Sequence, residues 1–95
     1  MHELVFEWDE AKHQINIVKH GIDLLEAETV FFDENAILIP DPDHSQEEER
    51  FIILGISEKL RLMVVCHCYR ASDTVIRIIS ARKATRQETL QYGGR

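Results

Sequence analysis

Glycine, cysteine and proline are all scarce in this chain of 95 residues, with four, two and two copies. The glycines, Gly21, Gly55, Gly93 and Gly94, build no phosphate-cradling loop, which sets aside nucleotide-cofactor enzymes. Cys66 and Cys68 lie one residue apart on what reads as a strand, so alternation points them the same way. Reduced core thiols are expected, and neither a disulfide scaffold nor a zinc-finger spacing is present. No apolar run approaches the roughly 20 residues needed to cross a bilayer. The acidic opening, residues 1–10, lacks the basic start and apolar stretch of a secretory signal, so an intracellular protein without a membrane partner is expected. Internal repeats, linkers and low-complexity segments are missing as well. Ser45 follows His44 directly, yet nothing places it on a strained elbow, and a hydrolase triad has little support.

An apolar content of 44% beside 29% charged residues is that of an ordinary folded protein. The length fits one domain over residues 1–95 with one modest core. The net charge of -6 hides a split: residues 1–60 hold four Lys/Arg against fifteen Asp/Glu, whereas residues 61–95 hold seven against two. A compact fold with such a split can meet a polyanion on one face despite its acidic total.

The spacing predicts a strand over 5–8, then a helix capped by Asp9 and stopped at Gly21. Ala11, Ile15, Val18 and Ile22 form its inward stripe, with Lys12, Asn16, Lys19 and His20 on another face. Asp23 begins a second helix, with Glu26 at capping-box spacing and Leu24, Leu25, Ala27, Val30 and Phe31 on its apolar side. Strands follow over 36–39, 50–57, 61–69 and 74–81, the last apolar on both faces and therefore inside the sheet. Thr85 and Glu88 open a terminal helix that runs to about residue 92. Strands following helices argue for an α+β fold: two N-terminal helices on an antiparallel sheet of three to five strands, with a C-terminal helix.

Two basic sets stand out. Lys12, Lys19 and His20 share a helix surface with Asn16 and could hold phosphates, although a solvated helix face gives the same pattern. Arg70, Arg77, Arg82 and Lys83 come from one strand and its connections. Arg77 lies between Val75 and Ile79 on one face of an inner strand, where an arginine needs an ion pair or a ligand. Its structural partner would be Glu48 or Glu49; its functional one would be a phosphate gripped by the guanidinium fork. In the loop over 41–49, Asp41, Asp43 and His44 could bind a divalent metal, but turn chemistry explains them as well, and no metal is assigned.

Three blocks in order carry a family resemblance: Phe6-x-Trp8-Asp9-x-x-Lys12-x-x-x-Asn16-x-x-Lys19-His20-Gly21-Ile22, His44-Ser45-x-x-Glu48-Glu49-Arg50 and Arg77-Ile78-Ile79-Ser80-Ala81-Arg82-Lys83-Ala84. Together they resemble the BrnT toxins of bacterial type II toxin–antitoxin pairs. The resemblance implies a RelE-like fold, a cytoplasmic ribonuclease that stops translation, and neutralisation by a BrnA antitoxin with a ribbon-helix-helix DNA-binding part. It also implies a complex that represses its own operon by binding operator DNA through the antitoxin. Leu24 and Thr89 depart from the family pattern, which usually has an aromatic and often an arginine there.

The chemistry can be argued separately. RNA cleavage by its own 2′-hydroxyl needs an in-line backbone, stabilised phosphate charge and moved protons, without metal or cofactor. Arg77, Arg82 and Lys83 are the expected phosphate and transition-state groups, with Lys12, Lys19 and Arg70 as further RNA-binding cations. His44 or His20 would transfer the proton, and Glu49 is a second candidate base. The substrate would be RNA, with ribosome-associated mRNA as one source. The competing class is a non-catalytic module whose basic patch receives an acidic partner segment or operator DNA.

Overall fold

The computed structural model describes residues 4–41 and 48–93. Strand β1 (Val5–Glu7) leads into helix α1 (Glu10–His20), helix α2 (Leu24–Thr29) and a 3₁₀ turn (Val30–Phe32). Strands β2 (Ile37–Pro40), β3 (Phe51–Ile56), β4 (Leu62–Arg70) and β5 (Val75–Lys83) precede helix α3 (Arg86–Gly93). Among the described residues these strands form one sheet in the order β1-β5-β4-β3-β2. The α+β class is as expected, with one difference: β1 joins β5 in parallel, aligning Val5 with Val75 and Glu7 with Arg77, so the sheet is mixed. This pairing puts β5 inside the sheet, as its two apolar faces demand.

Local chemistry sets the helix boundaries. Asp9 accepts the Lys12 amide at 3.1 Å, and Gly21 closes α1 in the left-handed region at φ 68, which a residue with a β-carbon enters only at a cost. Asp23 caps α2 by accepting the Leu25 amide at 2.8 Å. Glu26 does not close the expected capping box; its carboxylate turns inward. There it accepts from Arg61 Nε at 2.8 Å and Ser57 Oγ at 2.7 Å, and pairs with Arg61 Nη2. The Glu26 side chain is 2% exposed, so this group ties α2 to the β3–β4 turn from within.

One face of the sheet carries the main core. Ile53, Met63, Val65, Ile76, Ile78 and Ala81 pack there against Ile22, Leu24, Ala27 and Val30. Leu25, expected on the apolar side of α2, is exposed instead. The larger correction concerns α1. Its buried residues are His13 and Asn16, while Ala11, Ile15 and Val18 face solvent, and of the expected inward stripe only Ile22, beyond the helix, is in the core.

Hydrogen bonds explain how a polar face can be the docked one. Asn16 donates to the Ile22 carbonyl at 2.9 Å and accepts the Ala81 amide at 3.1 Å, pinning α1 to β5. His13 shares hydrogen bonds with Asp23 at 2.9 Å and Glu10 at 3.3 Å and packs edge-on against Trp8. Buried polar groups that are satisfied in this way carry little penalty and fix one orientation.

Candidate functional site

The strand register of β5 builds the site. Cys66 pairs with Ser80 and His67 with Ile78, so Ile79 is an extra residue that interrupts the alternation. Ile78 and Ala81 enter the core, while Ile79 and Ser80 between them are only half-buried. Both line two adjoining grooves. One, of about 200 Å³ between α1 and β5, is walled by Lys12, Lys19 and His20. The other, of about 310 Å³ on the sheet face away from the core, is walled by Arg82, Arg50 and Asp41 over a floor of Val64 and Cys66. Five basic side chains from α1, β5 and the approach to β3 thus border two grooves that share Ile79 and Ser80 and are together termed the trough.

Arg50 is the residue that reasoning from pattern left out of the site, although it closes the second block of the family motif. The sequence puts it at the head of the strand over 50–57, on the face of Ile52, but does not tell that this face lies beside Arg82. The floor thiol Cys66 is pushed up by burial, which keeps it protonated and inert.

Other expected site residues lie elsewhere. Lys83 pairs with the core residue Met63, and alternation sends it to the sheet face opposite Arg82. Glu49 lines a separate hollow with Phe51 and Tyr69, away from the trough. His44 and Asp43 lie outside the described residues. Arg77 shares its sheet face with Arg82 but sits five residues away, about 15 Å along a strand. Its partner is Glu7 at 2.7 Å, not Glu48 or Glu49, because β1 runs alongside. Arg70 lies between Glu7 at 3.8 Å and Glu48 at 3.4 Å. The cations therefore fall into two groups: the trough set, and an Arg70–Arg77 pair held by carboxylates toward one end of the sheet.

Arg82 is also paired. Its Nη1 and Nη2 donate to the two oxygens of Glu88 at 2.8 and 3.0 Å. Glu88 in turn accepts the Thr85 amide at 2.8 Å while its own amide donates to Thr85 Oγ1 at 3.1 Å, the reciprocal capping box expected at α3. The Arg82 guanidinium holds the Glu88 carboxyl at about 2, well below its ordinary 4.5. A folded value below the unfolded one gives stability that is full above the ordinary value and is lost as pH falls through the lower one. Glu88→Gln is therefore expected to flatten the loss of thermal stability between about pH 5 and 2. Melting followed by circular dichroism checks this; an acid slope equal to the parent's would show that the pair adds nothing.

Among the described residues no helix is long and apolar enough to cross a membrane, and no group of three or more His, Cys, Asp and Glu side chains is placed to hold a metal ion. A trough walled by arginine, lysine and histidine on an α+β domain suits an enzyme that handles polyanions, and the nucleases are such a class. Residues 8–88 match the family described as "Ribonuclease toxin, BrnT, of type II toxin-antitoxin system", and the chain belongs to that family. It is thus a ribonuclease toxin of a type II toxin–antitoxin system, with an antitoxin as its partner. The 1.1 Å crystal structure of the Brucella abortus ribonuclease toxin BrnT is similar, with 26% identity and a TM-score of 0.66 over 87% of this chain and 97% of that one. No curated protein matches the sequence.

Proposed function

We propose that single-stranded RNA lies along the trough between α1 and the outer sheet face and is cut there by attack of its own 2′-hydroxyl, without a metal. The convergence of Lys12, Lys19, His20, Arg50 and Arg82 around Ile79–Ser80 carries this reading. Arg82 supplies the planar fork that matches a phosphate, and the lysines fix the backbone on either side. Arg70 and Arg77 hold the strand further along. His20, on the trough wall, is the proton-transfer group the geometry favours, with His44 as the second candidate from its place in the family motif. Glu49 and Lys83, turned elsewhere, have no part in the chemical step.

The acidic total of -6 opposes tight unaided binding to RNA, since affinity comes from neutralised phosphates. Messenger RNA already positioned on a ribosome meets that difficulty, because the ribosome supplies the local concentration. A BrnA-type antitoxin with a ribbon-helix-helix part is the proposed partner, and operator DNA is reached through it.

Purified chain incubated with RNA and an excess of chelator is expected to cleave at the same rate as without it. The products should end in 2′,3′-cyclic or 3′-phosphate, read by mass spectrometry. Cleavage abolished by the chelator and restored by divalent cation would move the chemistry to Asp41, Asp43 and His44. Retarded RNA without any cut product would favour the non-catalytic binding module.

A further inference from the structure

The orientation of α1 that buries His13 and Asn16 leaves an apolar patch uncovered. Val18 is 87% exposed and Ile15, one turn earlier, 61%. Ile15 and Val18 form a shallow hollow with Gln14 and Lys19, of about 290 Å³. Ile15 and Lys19 also wall the trough, so whatever sits in the hollow reaches the trough's edge. Lys12, one turn before Ile15 and Asn16, adds a second cation at that edge.

The chemistry of the patch selects its occupant. Bases of single-stranded RNA bind by stacking on aromatic rings, and the patch offers only aliphatic side chains. A second copy of the chain would meet it across a two-fold axis, which sets the lysines of one α1 near those of the other. Glu10, the carboxylate on the same helix, already accepts from Gln14 at 3.0 Å and is shared with His13. A segment bearing apolar side chains on one face and carboxylates beside them satisfies both the aliphatic centre and the cationic rim.

We propose that an acidic amphipathic segment of the antitoxin docks on the Ile15–Val18 face of α1, with carboxylates on Lys12 and Lys19, and so closes the trough from its α1 side. The proposal rests on the reading of the chain as the toxin of such a pair and names the surface where it is silenced. Occlusion follows from continuity: Ile15 and Lys19 belong to both the patch and the trough.

The test uses the full chain and the purified product of the neighbouring antitoxin reading frame, titrated by calorimetry. Val18→Glu is expected to weaken the complex by about 30-fold or more, the effect of losing an interface anchor. Val18→Lys, which gives up the same apolar contact but keeps the charge sign of the rim, should weaken it clearly less. Leu90→Glu, on the exposed side of α3, should leave it unchanged. Val18 lies off the trough wall, so cleavage of RNA by Val18→Glu in the absence of antitoxin should equal the parent's. Binding of Val18→Glu within about threefold of the parent overturns the proposal. Equal weakening by glutamate and lysine overturns the acidic partner. A change of mass on sedimentation of the chain alone assigns the patch to a second copy, and altered RNA cleavage with unaltered antitoxin binding assigns it to RNA. Because calorimetry needs no nuclease activity, a chain that cuts no RNA yet loses antitoxin on Val18→Glu would refute the nuclease reading and leave the docking surface standing.

Discussion

Arg82→Ala is expected to lower RNA cleavage by about 10²–10³-fold, the scale on which removing one preorganised charge-stabilising donor acts. Glu88 grips the guanidinium on both terminal nitrogens and is itself fixed by the Thr85 amide, so the planar fork is held at the trough wall before substrate arrives. Preorganisation of this kind spares the reorganisation that a free side chain would undergo during the chemical step. The same pairing offsets part of the positive charge. Glu88→Gln, whose amide oxygen can still cap the Thr85 amide, is therefore expected to raise RNA affinity, while Arg82→Ala lowers it. Arg82→Lys falls between the two, keeping the charge but losing the fork. A purely structural ion pair gives a different pattern: in both Arg82→Ala and Glu88→Gln cleavage would fall only with the folded fraction, and Glu88→Gln would gain no RNA affinity. Single-turnover cleavage of a labelled RNA, run beside melting curves, separates the outcomes. A folded Arg82→Ala protein that cuts within about threefold of the parent removes Arg82 from the mechanism.

Arg61→Ala is expected to destabilise the fold by about 3–5 kcal/mol, the cost of leaving a buried charge without its partner. In a domain whose total stability is about 5–15 kcal/mol this is the largest single-residue loss expected away from the hydrophobic core. Glu26 would be left with Ser57 alone, its side chain still enclosed. The pH response should reverse as well. In the parent, the Arg61 guanidinium holds the Glu26 carboxyl below its ordinary 4.5, so this group's stabilisation fades as pH falls below that value. In Arg61→Ala the burial that raises the carboxyl is opposed only by the Ser57 hydrogen bond and the weaker pull of Lys59, and where burial prevails protonation favours the folded state, so stability is expected to recover toward acid. Urea unfolding at neutral and mildly acidic pH decides it: a variant that weakens in acid as the parent does would show that Arg61 is not the controlling partner.

Much of this fold can be read from local chemistry alone. Asp9 and Gly21 bracket α1 because a side-chain acceptor and a left-handed residue solve the unsatisfied ends of that helix, whatever it packs against. Thr85 and Glu88 mark the start of α3 for the same reason. The strands follow from runs of aliphatic residues, and β5 reads as interior because both of its faces are apolar. The face by which α1 docks is a different matter. Periodicity assumes that aliphatic residues go inward, but here Asn16 and His13 dock instead, and their partners, Ala81 and Asp23, lie far along the chain or on another helix.

The candidate site divides in the same way. Lys12, Lys19, His20 and Arg82 could be picked by charge and spacing. Arg50 joins them, and Lys83 leaves them, through strand pairing and alternation that no short window reports. The extra residue at Ile79 is what lets the α1 set and the sheet set meet, and nothing in Ile78-Ile79-Ser80-Ala81 announces it. Arg77 shows how non-local the answer can be, since its carboxylate partner sits 70 positions away on β1.

That parallel pairing of Val5–Glu7 with Val75–Arg77 bears on the order of events during synthesis. A growing chain exposes β1 and α1 early, yet the strand that anchors both emerges from the translating machine only when most of the polypeptide has been made. Until then the lysines of α1 have no sheet beside them and Arg82 does not exist. On the proposed reading, a copy that ends before β5 lacks both Arg82 and the strand against which α1 docks, so the trough forms only once the last third of the polypeptide is in place.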